Sequence, residues 1–353
     1  MKGLSLFSGA GIGETYLADC GIDIIVANEL IEKRANLYKS LYPHCKMICG
    51  DISDNAVFSE IIDNANGVEF LIASPPCQGM SVAGKNRHQD TMITDERNYL
   101  ITYVFRAIEL LQPKYILIEN VPALLTFKLP YKGEMHSVID ILKDKFGNEY
   151  IVDGKVVDAS DYGVPQTRLR AIIKLFPKNC IWNWPEPVRT KITVRDAIGK
   201  LPSLEAGQRS DLKWHFARMH DARHILWMKH TATGTSAFSN SVYFPQKEDG
   251  ARIKGYESSY RRIKWDEPAP TITIRNDAIS SQRNVHPGNL QPDGTYSDAR
   301  VLTPLELMIL TSLPEDWNIP DNTPEILIRQ VIGEAIPPLM IQKIVGELKC
   351  LTK

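Results

Sequence analysis

Four short apolar runs, Gly3–Phe7, Ile22–Ala27, Phe70–Ala73 and Tyr115–Ile118, are separated by stretches with helical spacing, and this alternation constrains the fold more than any other feature. In Tyr99–Leu111 the apolar residues recur three and four apart, which predicts a helix. "MICG" before Asp51, Tyr150–Val157 and Ala171–Leu175 supply further strands, and the segment that follows the glycines after Phe7 reads as helical to Asp19. Strands alternating with helices predict an α/β fold, a mostly parallel sheet covered on both faces. The texture changes after Pro177. From "WNWPEPVRTKITVRDAIGKLPSL" to Ser259 the chain is rich in Pro, Trp, His and basic residues with weak periodicity, as an irregular insert would be. Regular patterning returns at Leu302, where "TPLELMILTSLP" and "PPLMIQKIVGELK" read as helices, the last packing back on the first domain.

A chain of 353 residues, 43% hydrophobic and 24% charged, has the composition of a soluble globular protein of one large or two ordinary domains. No run of about 18 apolar residues predicts a membrane span, and the first residues lack the pattern of a secretory signal. Six cysteines, at 20, 45, 49, 77, 180 and 350, form no Cys-x-x-Cys pair and no Cys/His set, so the sequence predicts no metal site and no disulfide framework, and a cytoplasmic protein. Net charge is −1, yet Pro177–Arg275 holds 17 Lys+Arg against 10 Asp+Glu. A polyanion-binding face would produce this excess, and so would uneven surface charge.

"LFSGAGIGE" places glycines at 9, 11 and 13 between a strand and a predicted helix, where a ligand can approach the backbone closely. Glu29 follows the second strand, where a carboxylate can accept from both ribose hydroxyls, and Asp51 follows the third. A nucleoside ligand is expected; NAD, FAD and S-adenosylmethionine all stay open, although "GAGIG" lacks the dinucleotide spacing.

"SPPCQGMS" raises the question of chemistry. A free cysteine is more often a small buried hydrophobe than a nucleophile. Cys77, however, follows the Phe70–Ala73 strand and should lie at the carboxyl edge of the sheet, the usual ligand crevice. The polar loop after it, "GMSVAGKNRHQDTMITDERN", reads as a lid. Glu119, in "ENVP", should reach the same edge from the next strand, unless it is a solvated charge or helix cap. In "DYGVPQTRLR", Gln166, Arg168 and Arg170 alternate, so on an extended strand they share one face, as a site or as a surface ion-pair row.

In order along the chain, "FSGAG", "NEL", "GDI", "PPCQG", "DERNYL", "ENV", "QTRLR", "RRIKWDEPAPTIT" and "GEAIPP" resemble the cytosine-5 DNA methyltransferases of bacterial restriction–modification systems. The resemblance implies a Rossmann-like class I methyltransferase sheet over 1–178, a second, smaller, irregular target-recognition domain over 179–280, and a C-terminal segment, 281–353, returning to the first. It implies S-adenosylmethionine as cofactor, held by Phe7, Ser8, Gly9, Gly11, Glu29, Asp51, Ile52, Pro76, Leu100, Glu334 and Ala335. Cys77 would add to C6 of a flipped-out cytosine in double-stranded DNA, with Glu119 at N3 and the exocyclic amine and Arg168 and Arg170 at O2 and nearby phosphate. Glu119 in that role would need a raised pKa. The implied protein acts as a monomer on DNA, with a companion restriction endonuclease as functional partner and no membrane. One departure is Glu334, where the family usually has asparagine, for which altered cofactor affinity is expected.

Three other readings are weaker. A tRNA cytosine methyltransferase of the same superfamily would carry a Cys-Phe-Thr segment that is absent from this sequence. A catalytically dead binding subunit would have lost Cys77, Glu119 or the arginines. A nicotinamide oxidoreductase leaves "PPCQ", "ENV" and "QTRLR" unexplained.

Overall fold

The computed structural model describes residues 1–76 and 96–350, which form two compact units. The first comprises Met1–Asp158, Leu169–Glu186 and Ile341–Lys353; the second comprises Ala159–Arg168 and Pro187–Met340.

The first unit is an α/β layer structure. Its elements are β1 (Lys2–Leu6), β2 (Asp23–Glu29), α1 (Glu32–Leu41), β3 (Lys46–Cys49), α2 (Asn55–Asn64), β4 (Phe70–Ala73), α3 (Ile101–Leu111), β5 (Tyr115–Asn120), a hairpin of β6 (Lys128–Tyr131) and β7 (Glu134–Ser137), α4 (Val138–Phe146), β8 (Tyr150–Asp158), β9 (Leu169–Pro177) and β10 (Cys180–Trp182). Seven strands make one sheet in the order β3-β2-β1-β4-β5-β9-β8. The first five are parallel, while β9 runs antiparallel to both β5 and β8. Every residue of β4 and β5 is buried, which is why these strands read as continuous apolar runs rather than alternating ones. Helix α3 turns Ile101, Val104, Phe105 and Ile108 onto the same core as Leu4, Leu71 and Ile116. Asp54 caps α2 through the amides of Ala56 and Val57, and Ser137 caps α4 through that of Asp140. From the central β1 the chain goes to β2 and β3 on one side, then to β4 on the other. That switch opens a crevice beyond the carboxyl ends of β1 and β4.

One expected element does not form. Instead of a helix up to Asp19, β1 leads into two short 3-10 turns, Ile12–Glu14 and Ala18–Cys20. Gly9, Gly11 and Gly21 sit at φ 58°, 74° and 72°, a conformation no right-handed helix contains.

In the second unit, α5 (Val194–Ile198), α6 (Ala222–Lys229), α7 (Pro304–Leu310) and α8 (Glu325–Glu334) are joined by long irregular segments. One of its apolar clusters is built on Trp227, Met228, Tyr260, Val285 and Val301, and α7 and α8 bury further apolar side chains, among them Leu307, Met308, Ile328 and Val331. Three arginines are also fully buried. Arg262 donates to the carbonyls of Met228, His286 and Asp298, and Arg329 to those of Asn276 and Leu302. Arg300 donates to the Leu204 carbonyl and to the carboxylates of Asp298 and Glu306. Irregular backbone leaves carbonyls that no ladder satisfies, and a guanidinium fork can satisfy several at once. Part of the basic excess read from the sequence is therefore internal: Arg262, counted in it, cannot meet a polyanion. Helix α9 (Pro338–Gly346) leads to β11 (Leu348–Cys350), which pairs with β10, while the Trp182 indole donates to the Ile344 carbonyl at 2.6 Å.

Candidate active site

At the end of β1 the backbone turns sharply. Phe7, a non-glycine residue, is held at φ 58°, a conformation that costs about 1–3 kcal/mol and persists only where its surroundings enforce it. The enforcing contacts are visible: Ser74 Oγ donates to the Phe7 carbonyl at 3.1 Å, and the Ser8 amide and hydroxyl both donate to the Asn28 carbonyl. Glu29, 6% exposed, accepts the Gly9 amide on Oε2 at 2.9 Å and the Ile31 amide on Oε1 at 2.8 Å. Each carboxylate oxygen can accept twice, so capacity for ribose hydroxyls is left. Among the described residues, and apart from the chain neighbours, no heavy atom lies within 4 Å of where a Gly9 Cβ would stand, so the turn faces open space there. At Gly11 the reverse holds, since a Cβ would run into the rings of Tyr38 and Tyr42.

Around this turn, Asp51 is exposed and accepts the Ser53 amide and hydroxyl on Oδ1, and Ile52 is buried beside it. Half-buried Phe7 packs against the core, Pro76 follows β4, and Leu100 stands at the start of α3. An apolar side chain, an open glycine turn and carboxylates at the end of β2 and just after β3 are groups that a nucleoside ligand would need. The residues fit the expected cofactor. Glu334 and Ala335 belong to the second unit, where they end and cap α8.

Glu119 lies at the end of β5, and Arg170 two residues before its cross-strand partner Ile172 on β9. Arg170 Nε is 2.7 Å from Glu119 Oε1, with both side chains largely buried. This ion pair orients the Glu119 carboxylate at the strand end. Asn120, missed in the sequence reading, is buried behind it: its Nδ2 donates to the Pro75 carbonyl at 2.9 Å and its Oδ1 accepts the Val121 amide. This side chain ties the Glu119 strand end to the diproline segment. Cys77 and most of the lid-like loop, residues 77–95, lie outside the described residues. Asn120→Ala should lower kcat/KM for methyl transfer on the order of 10–100-fold. Steady-state kinetics beside a cofactor titration checks this, with an unchanged cofactor Kd expected.

The expected alternation of Gln166, Arg168 and Arg170 does not occur, because β9 begins only at Leu169. Gln166 and Arg168 belong to the second unit and meet on Ile272, whose amide donates to Gln166 Oε1 and whose carbonyl accepts from Arg168 Nη1. Arg168, almost fully buried, also donates to the carbonyls of Gly333 and Glu334. Arg170, on β9 in the first unit, pairs with Glu119.

The family model for C-5 cytosine-specific DNA methylases matches residues 1–350. The chain belongs to this family. It is a DNA cytosine-5-methyltransferase. Among its relatives, the Type II methyltransferase M1.HgaI of Avibacterium volantium is 61% identical over 350 residues, covering 99% of this chain and 98% of the relative. The Type II methyltransferase M1.HphI of Haemophilus parahaemolyticus is 30% identical over 345 residues, covering 97% and 84%. Among solved structures, a prophage-encoded E. coli protein described as a DNA modification methyltransferase superposes with a TM-score of 0.72 at 20% identity, covering 98% of each chain. The S. pombe Dnmt2 methyltransferase gives 0.59 at 14% identity, covering 98% and 97%. At those identities the superpositions speak for the fold alone. Among the described residues of this methylase, no helix is long and apolar enough to cross a membrane, and no group of three or more His, Cys, Asp or Glu side chains is placed to hold a metal ion.

Proposed function

We propose that this methylase converts one cytosine in a short DNA sequence to 5-methylcytosine by covalent catalysis through Cys77, with S-adenosylmethionine as methyl donor. The observation that carries the reading is the buried Glu119–Arg170 pair, joined through Asn120 to the segment that leads into Cys77.

C5 of cytosine is a poor nucleophile. Attack of the Cys77 thiolate on C6 forms the S–C6 bond and pushes the ring electrons towards C5, provided N3 takes a proton. Glu119 is the group to hold that proton against N3 and to accept from the exocyclic amine, and Arg170, already on Glu119, fixes its orientation. S-adenosylmethionine, when bound, supplies an electrophilic methyl group. Glu29 would hold its ribose, Asp51 its adenine amine, and Phe7 the adenine face. Loss of the C5 proton and departure of Cys77 restore the ring. C6 is out of reach in a stacked duplex, so the target base must leave the helix.

Target reading belongs, in this proposal, to 179–280, acting as a monomer beside a companion nuclease in the cytoplasm. Within that segment Pro245–Ile253 forms a hairpin, with the Ile253 amide on the Pro245 carbonyl and the Lys247 amide on that of Ala251. Arg252 fastens its base to the carbonyls of Phe238 and Asn240, leaving Lys247 and Lys254 exposed. A single antiparallel bridge, Gln246–Arg252, closes this turn, which the proposal sets against DNA.

Expression in a bacterium lacking cytosine methylation, followed by genome-wide mapping of 5-methylcytosine, tests the reading. Methylation confined to one short motif is expected. Soluble protein with no methylated motif would overturn it.

A further inference from the structure

Beneath the glycine turn lies a buried polar stack that the mechanism above does not use. Tyr42 Oη donates to the Gly11 carbonyl at 2.8 Å. Its ring rests on that of Tyr38, with centroids 4.8 Å apart, and both rings fill the space under Gly11. Tyr38 Oη in turn donates to one oxygen of the Glu14 carboxylate, and Ser5 Oγ donates to the other at 2.5 Å. Glu14 is 6% exposed and Tyr38 fully buried. The stack thus runs from β1 through the first 3-10 turn to α1 and ends on the backbone of the turn itself.

We propose that Tyr42 is a positioning residue for the cofactor, holding the Gly9–Gly11 turn in its binding shape from a platform made by Tyr38 and Glu14. The inference rests on the reading of that turn as the S-adenosylmethionine site. Three glycines in five residues, at 9, 11 and 13, give the turn wide conformational freedom, so binding must otherwise cover the entropy of ordering it. Glu29 fixes the open side through the Gly9 amide. Tyr42 fixes the buried side through the Gly11 carbonyl. With both in place the loop meets its ligand already shaped, and affinity gains accordingly. Gly11 is then glycine for two reasons, its φ of 74° and the ring faces against it.

Tyr42→Phe keeps the ring and removes only the hydroxyl. Calorimetric titration of the purified full chain with S-adenosylmethionine should show Kd raised about 3- to 10-fold, the worth of one lost hydrogen bond. S-adenosylhomocysteine should lose affinity equally, the KM for DNA should not move, and kcat at saturating cofactor should stay near wild type. Tyr38→Phe, which leaves the Tyr42–Gly11 bond intact but strips a donor from Glu14, should lower the unfolding midpoint more than Tyr42→Phe while changing Kd less. Wild-type affinity in Tyr42→Phe overturns the proposal, and so does a loss of affinity that simply follows the loss of stability across both variants. If the wild type itself binds no S-adenosylmethionine, the assignment of the turn fails first.

Discussion

Cys77→Ser should leave no detectable 5-methylcytosine, and Glu119→Gln should lower methyl transfer by about 10²–10⁴-fold, measured with labelled S-adenosylmethionine on DNA carrying the target motif. The serine hydroxyl is far less nucleophilic than a thiolate at neutral pH, so no S–C6 bond forms and C5 stays inert. Glutamine is nearly isosteric with Glu119 and its carbonyl can still accept from Arg170 Nε, which contacts Oε1 at 2.7 Å in the wild type. What it cannot do is carry a mobile proton for N3. Both variants should keep wild-type affinity for cofactor, because neither side chain belongs to the turn held by Glu29. A Glu119→Gln enzyme within threefold of wild-type rate would remove the carboxylate from the mechanism.

Arg170 sharpens the same expectation. The cation favours the ionised carboxylate, whereas proton delivery to N3 needs the protonated form at the moment Cys77 adds. In Arg170→Ala the carboxyl of Glu119 loses a cation that stands 2.7 Å away in a largely buried site, and removing a neighbouring cation disfavours the ionised form. The rate falls because the group is no longer oriented, but the alkaline limb of the pH–rate profile should move to higher pH. An alkaline limb that stays in place would mean that Glu119 does not supply the proton.

The central strands β4 and β5 were legible because they are buried on both faces. Phe70–Ala73 was read with the bounds it has, and Tyr115–Ile118 fell two residues short only because Glu119 and Asn120 are polar at a buried strand end. That shortfall is also where the chemistry lies. Asn120 was passed over because its partner, the Pro75 carbonyl, is 45 residues away and nothing in the sequence announces a side chain-to-backbone tie. The only available signal was its place beside Glu119 in "ENV". Arg168 and Arg170 look equivalent in "QTRLR", yet the strand begins between them and sends them to different units. The insert was the least legible part. Charge counting treats every arginine as surface, and periodicity has no means of predicting that Arg262, Arg300 and Arg329 are buried beside the apolar side chains, donating to carbonyls and carboxylates.

The two units should answer acidification in opposite directions. Burial raises the Glu14 carboxyl from 4.5 to about 7, against the hydrogen bonds from Ser5 and Tyr38 that favour its charged form. The folded chain therefore keeps a proton there that the unfolded chain releases. Stability from this site is present in full below pH 4.5 and is lost as pH rises towards 7, a loss of about 3 kcal/mol. The groups facing Glu14 do not titrate in that window: Tyr38 is held well above the ordinary tyrosine range, burial pushes Tyr42 further up and the Cys45 thiol to about 12. His286 in the second unit behaves conversely. Burial and the nearby Arg300 hold it below its ordinary 6.5, and its Nδ1 accepts the Gly288 amide, as neutral imidazole must. The unfolded chain takes up a proton there that the folded chain refuses, so stability is lost as pH falls below 6.5. Hydrogen exchange in urea, followed separately for peptides of β1–α1 and of the segment around His286, reads both signs in one experiment. Glu14→Gln should abolish the loss with rising pH in the first unit and leave the acid-side loss in the second untouched. If the first unit of Glu14→Gln still weakens between pH 4.5 and 7 as the wild type does, the buried proton is not on Glu14.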